Sequence, residues 1–191
     1  MDLELSCRCG KVRGRAIDAE PANINYCVCY CRDCRAFARW LGRMDSCDAA
    51  GGVPIVQMAR SRVELDSGVD ELACVRLSPK GLHRWYASCC KTPIGNTMPA
   101  MPFFGMIGAF FADEGGLERR YGAPWRIYTD RAIGPVPAHR WAGPMYPRVA
   151  LLIARWALRG RKGATFFDPA TGAPVVTPRV LTREERAAAS D

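Results

Sequence analysis

The chain has 191 residues, of which 49% are hydrophobic, 24% charged and 9% aromatic, the composition of one globular domain or one domain with an appendage. That excludes a disordered tail protein and a long multidomain chain. Twenty-seven Lys and Arg outweigh nineteen Asp and Glu for a formal charge of +8, and ten cysteines accompany only two histidines, His83 and His139.

Met1-Asp2-Leu3-Glu4 puts acids where a secretory leader needs a basic start and an apolar run, so the expected compartment is the reducing cytoplasm. Thiols stay reduced there, and a cysteine-rich chain in that setting binds metal or does thiol chemistry rather than forming disulfides. Bound zinc would trim the positive charge: four thiolates around one ion leave −2 and three leave −1, bringing a chain with one of each to about +5. The remaining cations include Arg131, Arg140, Arg148, Arg155, Arg159, Arg161 and Lys162, with no acid between Asp130 and Asp168. No helix-turn-helix, finger-type Cys/His spacing or aromatic-and-basic single-strand signature accompanies them, so nucleic acid is not an expected partner.

In chain order, Leu3, Leu5, Cys7 and Cys9 share one parity, Gly10-Lys11 makes a turn, and Val12, Gly14 and Ala16 alternate with Lys11, Arg13 and Arg15, predicting two short strands. A strand over 23–31 places Asn25, Cys27, Cys29 and Cys31 on one side, aiming three sulfurs at one face. Phe37, Trp40, Leu41 and Met44 then recur at helical spacing, so a helix starts near Asp33, its expected cap, with Cys34 in the first turn. Short apolar or alternating runs follow at Val53 to Met58, Val63 to Leu65, Leu72 to Leu77, His83 to Ser88, Met106 to Phe111 and Trp125 to Thr129, each bounded by turn residues. They predict a mainly β domain over 1–135.

Gly134-Pro135-Val136-Pro137 reads as a connector to an extension over 136–191. Its amphipathic basic helix, from Pro147 to Arg159, carries Arg148, Arg155 and Arg159 on one stripe and Val149, Ile153 and Trp156 opposite. At about twelve residues it is too short to span a bilayer, which takes roughly 20 apolar residues. A helix docked on the β domain is the expectation, and weak contact with a membrane surface is the alternative. Thr182-Arg183-Glu184-Glu185 fits a capping box for a last, solvated helix.

The chemistry lies in the cysteines. Cys7-Arg8-Cys9-Gly10 places two thiols on one side of a turn, and Cys27-Val28-Cys29-Tyr30-Cys31-Arg32-Asp33-Cys34 packs four thiols into eight residues. Cys89 and Cys90 are adjacent, so both reach one ion only if the backbone turns there. Cys47 and Cys74 read as small buried hydrophobes. No Ser-His-Asp set, phosphate-cradling glycine loop or His-Glu-x-x-His helix is present, and His83 reads as a strand residue beside Trp85.

Three segments together resemble the glutathione-dependent formaldehyde-activating enzyme family, which includes centromere-protein-V-like members: Cys7-x-Cys9-Gly10, Cys29-x-Cys31-x-x-Cys34-Arg35, and Cys90-Lys91-Thr92-Pro93-Ile94. The resemblance covers roughly Leu5 to Asp130. It implies an Mss4-like zinc-binding β fold, here with a C-terminal helical extension. It also implies a structural zinc on Cys7, Cys9 and Cys90 and a more labile zinc on Cys29, Cys31 and Cys34 near a glutathione site. One family cysteine falls on Ala87, so the structural shell needs another fourth ligand, for which Cys89 is the first candidate and Cys27 the second. The implied activity is that of a carbon–sulfur lyase on S-hydroxymethylglutathione or a related thiol–aldehyde adduct, with Cys29, Cys31 and Cys34 as the catalytic centre. Arg32, Arg35 and Arg39 are candidate partners for glutathione carboxylates. The alternative is a noncatalytic, zinc-stabilised interaction module.

Overall fold

The computed structural model describes residues 1–98, 101–138, 141–158 and 165–190; His139, Arg140, Arg159, Arg161 and Lys162 lie outside them. In chain order the strands are β1 (Leu3–Ser6), β2 (Arg13–Ala16), β3 (Asn25–Cys29), β4 (Val53–Ala59), β5 (Val63–Ser67), β6 (Leu72–Arg76), β7 (His83–Ala87), β8 (Pro93–Thr97), β9 (Phe103–Ile107), β10 (Trp125–Ile127) and β11 (Arg179–Val180). The helices are α1 (Arg32–Trp40), α2 (Leu117–Tyr121), α3 (Met145–Leu158) and α4 (Arg183–Ser190).

The fold is mainly β. A three-stranded sheet runs β1-β2-β5, and an eight-stranded sheet runs β10-β3-β4-β9-β8-β7-β6-β11. The six inner strands of the large sheet pair antiparallel, while β10 and β11 close its edges in parallel.

Period-2 alternation explains how the large sheet becomes a middle layer. Val56 and Met58 of β4, Cys74 of β6, Trp85 of β7 and Phe104 and Met106 of β9 face one side, where they meet Leu5, Ala16 and Val63 of the small sheet and Val12 just before β2. Val53 and Ile55, Val75, Ile107, and Cys27 and Cys29 face the other, under Phe37 and Leu41 of the α1 region, Met145 of α3 and Ala189 of α4. Trp85 is fully buried and its indole N–H donates to Thr97 Oγ1 at 2.9 Å, so its polar edge is satisfied.

Beyond residue 135 the chain feeds the same core. Phe166 and Phe167 pack on Trp85 with ring centroids 5.1 and 5.7 Å away, and β11 pairs with β6. Leu152 and Trp156 of α3 pack on Ala59, and α4 packs against α1. The capping box forms: Glu185 N–H donates to Thr182 Oγ1 at 3.2 Å, and Thr182 N–H donates to Glu185 Oε2 at 2.9 Å. Among the described residues no helix is long and apolar enough to cross a membrane.

Several boundaries differ from the sequence reading. The strand through the cysteine cluster ends at Cys29, so Cys31 leaves the sheet. The helix begins at Arg32 with Cys31 as its N-cap in place of Asp33. The run from Met106 to Phe111 splits into the end of β9 and a tight turn over 108–110. Strand β8, flanked by the turn at 88–90 and punctuated by Pro93 and Gly95, carried no alternation signal.

Candidate metal centres

Two groups of cysteine sulfurs converge, each with all members within 4.8 Å of one another: Cys7, Cys9, Cys89 and Cys90, and separately Cys29, Cys31 and Cys34. All ten cysteines are free thiols.

The four-sulfur group joins the turn after β1 to the turn between β7 and β8. Gly10 adopts φ +74, a left-handed turn suited to glycine, and its N–H donates to Cys7 O at 2.8 Å. Val12 N–H donates to Cys7 Sγ at 3.2 Å, a backbone dipole aimed at a sulfur that gains charge on metal binding. On the other side, Lys91 N–H donates to Ala87 O at 2.9 Å and Lys91 takes φ +58. The backbone therefore turns at Cys89-Cys90, which brings both adjacent thiols to one side. Ala87, the position on which the sequence resemblance would place a cysteine, is a buried strand residue, and the fourth sulfur within reach of Cys7, Cys9 and Cys90 is that of Cys89.

Sulfur separations within this group are 3.6 Å for Cys7–Cys9, 3.9 Å for Cys7–Cys89, 3.3 Å for Cys9–Cys89 and 3.8 Å for Cys89–Cys90. A tetrahedron with vertices at a zinc–thiolate distance of about 2.3 Å has edges of about 3.8 Å, whereas a disulfide needs about 2.05 Å. The spacing fits a shared ion and not a bridge.

Thr92 supports the group from beneath. Its hydroxyl oxygen accepts from Arg8 N–H at 3.0 Å and from Arg43 at 3.4 Å, leaving its own hydrogen for Cys90 Sγ at 3.1 Å. Burial pushes the Cys90 thiol up, but the Thr92 hydroxyl and the backbone N–H groups of Cys9 and Thr92 outweigh it and bring the thiol down to about 6. Burial and neighbouring sulfurs push Cys89 the other way.

The three-sulfur group is local. Cys29 is anchored by pairing with Val53 on one side and Ile127 on the other, and Tyr30 N–H donates to Ile127 O at 3.0 Å. Cys31 caps α1, accepting from Cys34 N–H at 3.4 Å, and Cys34 lies in the first helical turn. The N-terminal end of a helix favours negative charge, which suits a thiolate. The three thiols titrate as a set. Sharing with Cys29 and Cys34, the Cys34 N–H and the charge of Arg84 together pull Cys31 down to about 2. Sharing with Cys31 and burial push Cys29 strongly up, and Cys34 rises as well, so the three thiols compete for one proton set.

Cys27 falls in neither group. It is fully buried two residues before Cys29 on β3, and burial followed by the charges of Cys34 and Cys31 pushes its thiol to about 12. Cys74 is buried in the opposite core and Cys47 lies at the edge of the helix layer. Arg35 donates to the carbonyls of Tyr30 and Arg131 at 3.4 and 3.1 Å and Arg39 to the carbonyl of Ala189 at 3.3 Å, which leaves Arg32 exposed. His83 is buried on β7 against Trp85 and Phe167.

The roles of three residues near the groups were not read from the sequence, although Thr92 lies in the third motif. Arg84, a charge inside the buried run His83–Ala87, reaches Cys31 and Cys34 with its field. Tyr128 takes φ +57 and is half exposed; burial, and after it the charges of Cys29, Tyr146 and Cys31, pushes its phenol up. Thr92 is the third. A charged residue in a buried strand is a readable signal, but nothing in the sequence marks Tyr128.

No curated protein matches the chain. Residues 2–165 do match a family model, and the chain therefore belongs to DUF6151, a family of unknown function.

Proposed function

We propose that this chain is a zinc protein in which Cys7, Cys9, Cys89 and Cys90 hold a structural ion, while Cys29, Cys31 and Cys34 hold a second, exchangeable one. At the second site a small thiol such as glutathione would be joined to an aldehyde, the carbon–sulfur lyase chemistry of formaldehyde-activating enzymes on an Mss4-like fold. The observation that carries this reading is the division of seven sulfurs into four and three. Four thiolates complete a tetrahedral shell, whereas three leave a position for an exogenous ligand. Bound at the trio, zinc supplies a position that keeps a substrate thiol deprotonated at neutral pH.

The protein's own part is placement. Cys29 is fixed by the sheet and Cys31 and Cys34 by the helix start, so the three sulfurs are ordered before a ligand arrives. Addition of the thiol sulfur to the aldehyde carbon forms one C–S bond, moves the carbonyl π pair to oxygen and adds one proton there; reversal is the lyase direction. Tyr128, half exposed, is one solvent-reached side chain whose phenol feels the charges of Cys29 and Cys31. Little general acid–base chemistry is demanded, in keeping with a chain of two histidines.

Zinc-loaded protein should bind glutathione in calorimetry and accelerate adduct formation, and Cys31→Ser should lose both. Fully loaded protein that does neither would overturn the catalytic reading. The second reading, a noncatalytic interaction module, is favoured by α3, which exposes Tyr146, Leu151 and Leu158. Leu151→Glu combined with Leu158→Glu should then abolish self-association in sedimentation while glutathione has no effect.

A further inference from the structure

Arg84 is 2% exposed, on β7, an inner strand of the large sheet. A guanidinium does not lose its proton in a protein, so burying one demands a nearby negative charge. Its hydrogen-bond partner is neutral: one terminal nitrogen donates to Oδ1 of buried Asn96 at 3.1 Å. Its guanidinium carbon lies 5.5 Å from the Phe37 ring centroid, one turn along α1 from Cys34. The ion pair it makes among the described residues is with Asp33, at 3.9 Å, and the Asp33 side chain is 60% exposed. A long contact to a carboxylate in solvent is a weak partner for so buried a cation.

The neighbouring cysteine trio would supply the countercharge, since the field of Arg84 reaches Cys31 and Cys34. Asp33 and Phe37 bracket Cys34 on α1, and Arg84 is held between them. Three thiolates and a divalent ion sum to −1, and a fourth, anionic ligand makes −2. We infer that Arg84 is the positioning residue of the Cys29–Cys31–Cys34 site: its fixed charge, held by Asn96, Phe37 and Asp33, balances the thiolate-rich metal complex and strengthens its hold on the ion. The four-sulfur group is not a party to this arrangement. The inference rests on the proposed occupancy of the trio by a metal.

The test is a competition of the intact chain against a chromophoric zinc chelator, with Cys31→Ser identifying the ion held by the trio. In Arg84→Met, which keeps length and removes charge, the trio's zinc affinity should fall about 10- to 100-fold, the usual effect of losing a partner just outside the ligand shell. The other ion should be unaffected, and Arg84→Lys should recover much of the loss. Asn96→Asp, which is isosteric and leaves the guanidinium in place but offers it a competing anion, should weaken the same ion. Cobalt-loaded Asn96→Asp should show sulfur-to-metal charge-transfer bands diminished by the share of the trio alone. Unchanged affinity in Arg84→Met or Asn96→Asp would overturn the inference, as would equal loss of both ions or no difference between Arg84→Lys and Arg84→Met. If Arg84→Met fails to fold, Asn96→Asp and Arg84→Lys decide. A wild-type chain that holds one ion would instead overturn the two-metal reading, and this inference with it.

Discussion

The two cysteine groups use the same ligand and are built in opposite ways. Cys7 and Cys9 are some eighty positions from Cys89, so their meeting requires the small sheet and the β7–β8 turn to be docked together. Cys29, Cys31 and Cys34 lie within one strand end and one helical turn. An ion in the first group therefore staples two distant parts of the chain, and its binding energy is folding energy. An ion in the second would add little to the fold and would be free to exchange.

The largest effect that would break or support this contrast is at the staple. Cys9→Ser and Cys89→Ser should each destabilise the protein by several kcal/mol, on the order of 4, enough to threaten a domain of ordinary stability. Thermal melting followed by circular dichroism checks this, and a loss under about 1 kcal/mol would erase the distinction. Cys31→Ser comes next. Serine is itself a favoured N-cap, so the change keeps the cap on α1 while removing a ligand, and should cost one ion per chain with a stability change of no more than about 1–2 kcal/mol. Elemental analysis beside the same melts reads both quantities.

Cys27→Ala sharpens the contrast further. Because its thiol belongs to neither group, both ions should remain and the cost should be that of a small cavity, about 1 kcal/mol. Loss of an ion would move Cys27 into a ligand shell.

The smallest effect is a control in pH. Burial holds His83 below its ordinary value of 6.5, so the folded protein keeps it neutral while the unfolded chain takes a proton. Its neutral burial costs nothing above the unfolded value, and stability is lost as pH falls from about 6.5 toward the lower folded value. His83→Phe should flatten that part of the pH–stability curve and leave metal content unchanged; an unaltered slope would remove His83 from the acid response.

What the sequence revealed follows the same division between local and distant. Cys7-x-Cys9-Gly10 and Cys29-x-Cys31-x-x-Cys34 were readable as ligand sets because a strand, a turn and a helix start fix sulfur positions over a few residues. The joint use of Cys89 and Cys90 was harder to read, since extended backbone would splay them; the turn ending in the left-handed Lys91 is what aims both inward. The cap on α1 went to Cys31 instead of Asp33 because the strand stops at Cys29, one boundary that alternation cannot locate. Arg84 stood out as a charge in an apolar strand, but its partners were hidden for a topological reason. Its neighbours Asn96 and Asp33 are set by the β7–β8 register and by the seat of α1 on the sheet. Phe166 and Phe167 likewise acquire their role only where the chain returns to Trp85.

The most direct test of the two-site account is zinc X-ray absorption spectroscopy with elemental analysis on the intact, freshly purified chain. It should give two ions per chain with zinc–sulfur distances of about 2.3 Å. Seven protein sulfurs should be shared between the two ions, with one non-protein ligand that becomes a further sulfur when glutathione is added. A chain without transition metal, or with a single ion in a four-sulfur shell that glutathione leaves unchanged, would contradict it.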